Sequence, residues 1–503
     1  MLAFVAPHVD YHALAPEIIV AATLVVVLLV DLVSERNRPL LGTISGIGLL
    51  AAMVPILTLA VDGTDRVVLS GNGGYVVDNF ALTLKALFLV GAYVVVLMST
   101  NYVAEGDYYE GEYYFLLLSS VLGMVVMASS RDLITIFIAL ETLSIPAYML
   151  AAWRKRDAKS NEAGLKYYLM GVFASAIMLY GMSLLYGVTG STLLTDIGAA
   201  LGNTTKPIVT LGIVFCVVGF AFKVSAVPFH TWAPDTYEGA PTPITAFLSV
   251  ASKAGGFVAI MELVFVGFFN QHDVWQPMFW VLAVLTMTVG NLIALRQTNI
   301  IRLFAYSSVA QAGYMLAPLA VAGDLKTTQE SLSATIIYLL IYAGMNLGAF
   351  AVIITVARKT RSGEIESFNG LFEYAPGLTV LMTVFLFALA GIPPLAGWFA
   401  KFQVFFATAN AGTPAGYVLA VFIGVNSVIA LVYYANIAQA MWMRPSPDGD
   451  TTRIRVPPAL AGALAICVLF TVAVGFYPQL VGRVGDMATF ALGCVEPARA
   501  TGC

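Results

Sequence analysis

Charge is scarce in this sequence: only 11% of its 503 residues are Asp, Glu, Lys or Arg, while 59% are hydrophobic. A soluble chain of this length usually divides into several domains with about a quarter of its residues charged, so that class is excluded. Cysteine is nearly absent as well. Cys216, Cys467, Cys494 and Cys503 form no C-x-x-C pair, and no histidine stands at metal spacing from them. No zinc site, iron–sulfur cluster or disulfide framework is implied; Cys494 and Cys503 remain free to pair if the tail lies in an oxidising compartment. The four histidines (8, 12, 230 and 272) fall at or beyond helix ends, which argues against a haem held between membrane helices. There is no G-x-G-x-x-G opening a βαβ unit and no G-x-x-x-x-G-K-[ST] loop, so redox chemistry or nucleotide binding would belong to partner chains. The start, "MLAFVAPHVDYHAL", has no basic region and no small-residue cleavage site after the first apolar run, so no cleaved signal peptide is expected. The net charge of −4 is spread over short loops and gives no reason to expect nucleic acid.

Long apolar runs are abundant. They are continuous rather than alternating, and only helices and closed barrels satisfy their backbone in lipid. The chain therefore reads as an all-α polytopic membrane protein of about fourteen transmembrane helices. The spans fall near 15–33, 41–60, 79–99, 113–129, 131–151, 164–187, 208–231, 243–267, 276–295, 300–321, 332–357, 376–409, 415–442 and 457–477. The seventh and twelfth are long and interrupted by proline. Loops after odd spans hold fourteen lysines and arginines, whereas those after even spans hold only Arg66, Arg131, Lys206 and Lys326. The positive-inside rule then makes the odd loops cytoplasmic and puts both termini on the extracytoplasmic side.

Lys85 and Lys166 are near enough to helix ends to snorkel. Lys223, Lys253 and Lys401 are not. Each sits about ten residues from a helix end, roughly 15 Å deep at 1.5 Å per residue. With Glu141 they make four deep ionisable residues, and each costs at least about 2.5–3.5 kcal/mol at the bilayer centre. A structural ion pair or a snorkelling lysine is the plain explanation for one such residue. Three lysines at similar depth with a matching glutamate suit proton transfer, because desolvation drives a lysine towards neutrality and a nearby carboxylate opposes it. Glu141 and Lys223 are the candidate switching pair, and Lys253 and Lys401 the candidate relay stations.

Two helix breaks accompany them. "VSAVPF" interrupts span seven after Lys223 through Pro228, and "LAGIPPLAGWFAKF" interrupts span twelve before Lys401 through Pro393 and Pro394. Backbone freed by a break is tolerated at membrane depth only where protein or water meets it. The order is mirrored: lysine then proline in one span, proline then lysine in the other. Two halves related by an axis in the membrane plane would give that order. Spans four to eight and nine to thirteen are the natural pair, dividing the chain at 1–110, 111–270, 271–445 and 446–503. Glu262 lies towards the outer end of span eight, as an exit-side acid or in a lipid-edge or interfacial role. Tyr306, Ser307, Ser308 and Gln311 in "AYSSVAQAGY" either line a wet path or make ordinary interhelical hydrogen bonds. His230, near the cytoplasmic end of span seven, is an interfacial hydrogen bonder or a proton entry.

The stretch "FKVSAVPFHTWAPDTYEGAPTPITAFLSVASKAGGF" (222–257) resembles the core signature of the antiporter-like membrane subunits of respiratory complex I. Its "PDTYEGAPTP" and "ASKAGGF" are closer to the N type than to the L or M types. "ETLSIPAYML" (141–150), "RLFAYSSVAQAGYM" (302–315) and "GIPPLAGWFAKF" (391–402) resemble further family motifs in the right order, over roughly residues 75–445. The resemblance implies fourteen helices with two inverted five-helix repeats, each containing one broken helix, and a proton channel using Glu141, Lys223, Lys253 and Lys401. It also implies a bacterial inner membrane location, lipids and other membrane subunits of complex I as neighbours, and no cofactor in this chain. NADH, FMN, iron–sulfur clusters and quinone would be held by partner subunits. A lysine at 401 favours L or N, since the M type is expected to carry glutamate there, and the L type's long C-terminal extension is absent. One departure stands out: Gln311 occupies a position where many relatives have histidine, and glutamine cannot titrate. A multi-subunit cation/proton antiporter shares the charged row, and a non-transporting scaffold would also hold paired charges.

Overall fold

The structure, a computed structural model, describes residues 9–33, 38–63, 66–69, 72–106, 110–202, 206–447 and 449–490. Cys494 and Cys503 lie outside the described residues. The chain opens with α1 (Ala15–Val33) and α2 (Arg38–Asp62), then a short antiparallel hairpin of β1 (Arg66–Leu69) and β2 (Asn72–Val77). Next come α3 (Asn79–Glu105), α4 (Glu110–Met127), α5 (Leu133–Ala151), α6 (Ala158–Thr189) and the short α7 (Leu194–Leu201). The seventh predicted span is split into α8 (Pro207–Lys223) and α9 (Trp232–Gly239). The eighth runs as α10 (Thr242–Phe247), a π-helical turn at Leu248–Ser252, α11 (Lys253–Glu262) and a second π-helical turn at Leu263–Gly267. Then follow α12 (His272–Ala294), α13 (Ile300–Leu316), α14 (Leu325–Thr360) and the single turn α15 (Leu371–Tyr374). The twelfth predicted span is split into α16 (Pro376–Ala390) and α17 (Ala396–Asn410), before α18 (Pro414–Met443), α19 (Pro458–Phe476) and α20 (Gln479–Met487).

Among the described residues, ten helices are long and apolar enough to cross a membrane, and three shorter apolar helices, Gly111–Met127, Pro207–Lys223 and Pro376–Ala390, accompany them. These thirteen fall on thirteen of the fourteen expected runs; the tenth, near 300–321, falls on α13, which is not among them. Helix starts follow local chemistry: Asp78 caps α3 by accepting from the Ala81 N–H, Asp132 caps α5 through the Ile134 and Thr135 N–H groups, and Asp324 forms a reciprocal capping box with Thr327 on α14. The hairpin, α7, α9 and α20 have too little apolar length to register as runs and were not expected.

The stretch Thr242–Gly267 is wholly buried, and α14 nearly so. A helix apolar all round is stable only when enclosed by others. Helix α14 packs against α3, α10, α16, α17, α19 and α20, so it is the central strut. Leu29, Val54, Ile138, Phe173, Val421 and Leu469 instead point outward from peripheral helices. An apolar outer surface is what a hydrocarbon surround requires, since lipid tails give helices no hydrophobic reason to hide it.

Candidate functional site: a row of buried lysines

Both predicted breaks are real, and their freed backbone is met by protein. Helix α8 stops at Lys223, Ser225 adopts a left-handed φ of 60°, and the Val227–Pro228 bond is cis. The Val227 N–H donates to Thr286 Oγ1 on α12 at 3.0 Å, and Trp232 Nε1 donates to the Phe222 carbonyl at 3.0 Å. Pro228 itself lies exposed on the outer side of the break, so it shapes the chain rather than lining the site. The second break holds a left-handed Gly391 (φ 90°) and a cis Pro393–Pro394 bond, with both prolines exposed.

Lys223 is buried between α5 and α6. Its Nζ donates to Ser144 Oγ at 2.8 Å and to Tyr167 OH at 3.2 Å, and stands 5.6 Å from the Tyr167 ring centroid. Tyr167 in turn stacks on Trp232, centroids 4.4 Å apart, tying the lysine's pocket to the second half of its own broken helix. Glu141 sits one turn before Ser144 on α5, which is half-buried there. It makes no direct ion pair with Lys223, and its buried Oε1 has no hydrogen-bond partner. The "AGG" of "ASKAGG" has a packing role: a Cβ on Gly256 would lie 2.9 Å from Val224 Cγ1 and 3.2 Å from Lys223 Cγ. Only glycine lets α11 approach the lysine so closely.

Lys253 follows the first π-helical turn of span eight, a distortion frequent at functional sites. Its Nζ donates to the Ser308 carbonyl at 2.6 Å and to the Ser308 hydroxyl. From there a buried polar string runs towards Lys401. Ser307 hydrogen-bonds to Tyr434 OH, and Gln311 Nε2 donates to Tyr434 OH at 3.3 Å and to the Leu389 carbonyl at 3.3 Å. Tyr338 OH donates to Gln311 Oε1, and Tyr338 stacks on Tyr314 with centroids 6.2 Å apart. The Lys401 Nζ stands 4.9 Å over the Tyr314 ring and donates to the Ala390 carbonyl, freed by the break, at 2.7 Å. Tyr314 OH also accepts from Asn291 Nδ2 at 3.3 Å, and Asn291 is bonded to Asn426 and Tyr433.

Of the four polar residues picked out in "AYSSVAQAGY", Ser307, Ser308 and Gln311 join this string. Tyr306 turns away from it and faces His230, ring centroids 6.4 Å apart. His230 is half-buried in the bend between α8 and α9, beside the Pro228 backbone, and has no contact with a row lysine. The tyrosines 167, 314, 338 and 434 and the amides Asn291 and Asn426 were missed, although lone amides in mid-span are a readable signal.

Gly391 holds the Lys401 end in place. A Cβ there would lie 2.8 Å from Lys401 Cδ, and its φ suits glycine alone. Gly391→Ala should destabilise the protein by about 1–3 kcal/mol and push the lysine off the Ala390 carbonyl. The check is the thermal unfolding midpoint of the purified protein, which should fall.

Two further charge groups frame the row. On one side Arg302 pairs with Asp235 and Glu238, both at 2.9 Å, while Lys166 pairs with Asp235 at 2.7 Å and Lys159 with Glu238 at 3.0 Å. Helices α6, α9 and α13 are thereby joined. On the other side Glu262, wholly buried, pairs with Arg131 Nη1 at 2.5 Å. Two expectations are corrected here. Arg131, counted as a loop residue, is buried because it also pairs with Asp78 at 2.9 Å. Lys85, expected to snorkel, is fully buried because Glu17 meets its Nζ at 2.6 Å.

These features define a class: a polytopic helical membrane protein with lysines buried in a row beside two proline-broken helices. Residues 130–429, which include all four row residues, match the family model described as NADH:quinone oxidoreductase/Mrp antiporter, TM. The chain belongs to this family. It is 39% identical over 487 residues to NADH-quinone oxidoreductase subunit N of Trichlorobacter lovleyi, covering 95% of this chain and 97% of that one. It is 41% identical over 475 residues to subunit N of Moorella thermoacetica, covering 93% and 96%. A chain in the solved structure of respiratory complex I from Thermus thermophilus with bound aureothin is 33% identical, with a TM-score of 0.78 and coverage of 93% of this chain and 98% of that one. A chain in the Mrp complex from Dietzia sp. is similar in fold alone, at 22% identity, a TM-score of 0.84 and coverage of 97% and 98%.

Proposed function

We propose that the chain is a proton-translocating membrane subunit of an NADH-quinone oxidoreductase, coupling quinone reduction elsewhere in the assembly to proton transfer along the row Glu141, Lys223, Lys253 and Lys401. The observation that carries this reading is the buried polar string between Lys253 and Lys401: Lys253 bonds to Ser308, its neighbour Ser307 bonds to Tyr434, Gln311 links Tyr434 to Tyr338, and ring contacts through Tyr314 reach Lys401. Such a string has no structural need for lysine at both ends. Hydroxyl groups pass protons as both donor and acceptor, whereas the Gln311 amide cannot titrate and orients its neighbours instead. Lys223 is cradled by hydroxyls one turn from the open carboxylate oxygen of Glu141. Movement of that carboxylate towards or away from the amine would capture or release the proton.

The same reading gives fourteen spans in two inverted five-helix units, at 111–270 and 271–445, each with one broken helix. The proposed partners are the other membrane subunits of the complex, with NADH, FMN, iron–sulfur clusters and quinone in the partner chains. The proposed setting is a bacterial inner membrane with both termini on the extracytoplasmic side.

The test is purification in mild detergent followed by reconstitution. NADH:quinone reductase activity should co-purify, and NADH oxidation should acidify one vesicle compartment with no requirement for sodium. Cation/proton exchange without redox partners would favour an antiporter subunit instead and overturn the proposal.

A further inference from the structure

The relay leaves unused the two carboxylates of "PDTYEGAPTP", Asp235 and Glu238, which lie one turn apart on α9. That helix is the second half of the broken seventh span, and it is strapped on two sides. Towards α6, Asp235 meets Lys166 at 2.7 Å and Glu238 meets Lys159 at 3.0 Å. A Cβ on Gly239 would lie 2.4 Å from the Lys159 carbonyl oxygen, so α9 sits directly on the α6 backbone. Towards α13, the single nitrogen Nη1 of Arg302 reaches both carboxylates, each at 2.9 Å.

Both sides lead to a row lysine. Trp232, the first residue of α9, stacks on Tyr167 with centroids 4.4 Å apart and donates through Nε1 to the Phe222 carbonyl at 3.0 Å. Tyr167 OH accepts from Lys223 Nζ, and Phe222 is the residue before Lys223. On α13, Arg302 stands six residues, or about 9 Å, before Ser308, whose carbonyl and hydroxyl accept from Lys253. Helix α9 therefore stands between the cradle of Lys223 and the helix that holds Lys253, and rigid helices are what carry such a displacement.

Stability does not account for the Arg302 strap. Arg302 is 31% exposed, Asp235 33% and Glu238 21%, and ion pairs open to solvent add little to folding. What they fix is where α9 sits against α13.

We propose that Arg302, Asp235 and Glu238 are positioning residues that couple the Lys223 site to the Lys253 site through α9. The proposal rests on the proton-translocating reading above. With the strap closed, a shift of Trp232 that alters the Lys223 cradle moves the start of α13 with it, and so moves the Ser308 oxygens. With the strap open the two sites fall out of step, and NADH oxidation proceeds with fewer protons moved.

The experiment uses the whole reconstituted complex, with assembly, NADH oxidation and proton ejection measured on the same preparations. Arg302→Ala should assemble and oxidise NADH, yet eject no more than about half the wild-type number of protons per NADH. Arg302→Lys should recover most of that loss, because one ammonium can donate to both carboxylates as Nη1 does. Trp232→Phe keeps a ring against Tyr167 but loses the bond to the Phe222 carbonyl, and should also lower the ratio. The two substitutions cut the same link, so Arg302→Ala combined with Trp232→Phe should lose no more than the worse of the two alone. Losses that multiply in the double variant would overturn the proposal, as would wild-type ejection in Arg302→Ala. If Arg302→Ala does not assemble, Glu238→Gln takes its place: it removes one of the two bonds to Arg302, and a wild-type ratio there overturns the proposal equally. Lys223→Ala, measured alongside, separates the two ideas. If it stops ejection while Arg302→Ala ejects normally, the link falls and the relay stands; if Lys223→Ala also ejects normally, the relay itself falls.

Discussion

Lys223→Ala should leave the protein folded and assembled, yet cut proton translocation by at least about a hundredfold, the lower range of what a lost acid–base group costs. The folding side of this expectation comes from two opposing terms. A charged lysine at the bilayer centre costs at least about 2.5–3.5 kcal/mol, and the substitution removes that cost. It also removes three buried methylenes, Cγ, Cδ and Cε, at about 0.8 kcal/mol each. The two nearly cancel, and the Ser144 and Tyr167 hydroxyls left behind can bond to water admitted to the cavity.

Lys223→Arg sharpens the result. Guanidinium keeps the positive charge and the hydrogen-bond donors but cannot release its proton in a protein. If Lys223 served only to balance Glu141, arginine would preserve function. A relay predicts that arginine fails nearly as badly as alanine. The measurement is proton ejection per NADH oxidised in vesicles, with the amount of assembled complex checked on the same preparation. Ejection at the wild-type ratio in either variant would sink the relay.

Much of this was legible in the sequence because membrane helices restrict where charge can go. Lys223, Lys253 and Lys401 stood out because nothing near them in sequence could compensate their depth, and all three are buried where expected. Pro228, Pro393 and Pro394 marked real breaks because a missing N–H and a fixed φ leave a helix few alternatives. What a linear reading could not supply was the identity of partners far apart in the chain. Ser144, Tyr167 and Tyr434 are unremarkable in their own spans and matter only because α5, α6 and α18 bring them to the row. The same limit produced the errors at Lys85 and Arg131. Both lie near predicted span ends, where solvent is the default expectation. The hairpin and the described end of the chain fold over that end instead, bringing Tyr75 and Phe490 against the two cations.

Arg131→Ala should therefore be among the most destabilising single changes in the chain, whereas an arginine in an open loop would cost no more than about 0.5 kcal/mol. Removing one partner of a buried pair typically costs about 3–5 kcal/mol. Here Asp78 and Glu262 both lose their pairing with Arg131 at once. Set against a total folding stability of order 5–15 kcal/mol, this should sharply lower the amount of assembled protein and its unfolding midpoint. Arg131→Lys should fall between wild type and alanine, because a compact ammonium cannot fork to two carboxylates as guanidinium does. The loss should also shrink when Arg131→Ala is made in a Glu262→Gln background, since one of the stranded charges is then already gone. Unfolding midpoints of the four combinations give that coupling directly as a double-mutant cycle. A coupling near zero would mean that Arg131 and Glu262 do not depend on one another. The ion pair would then not be what holds the C-terminal end of α11 to the start of α5.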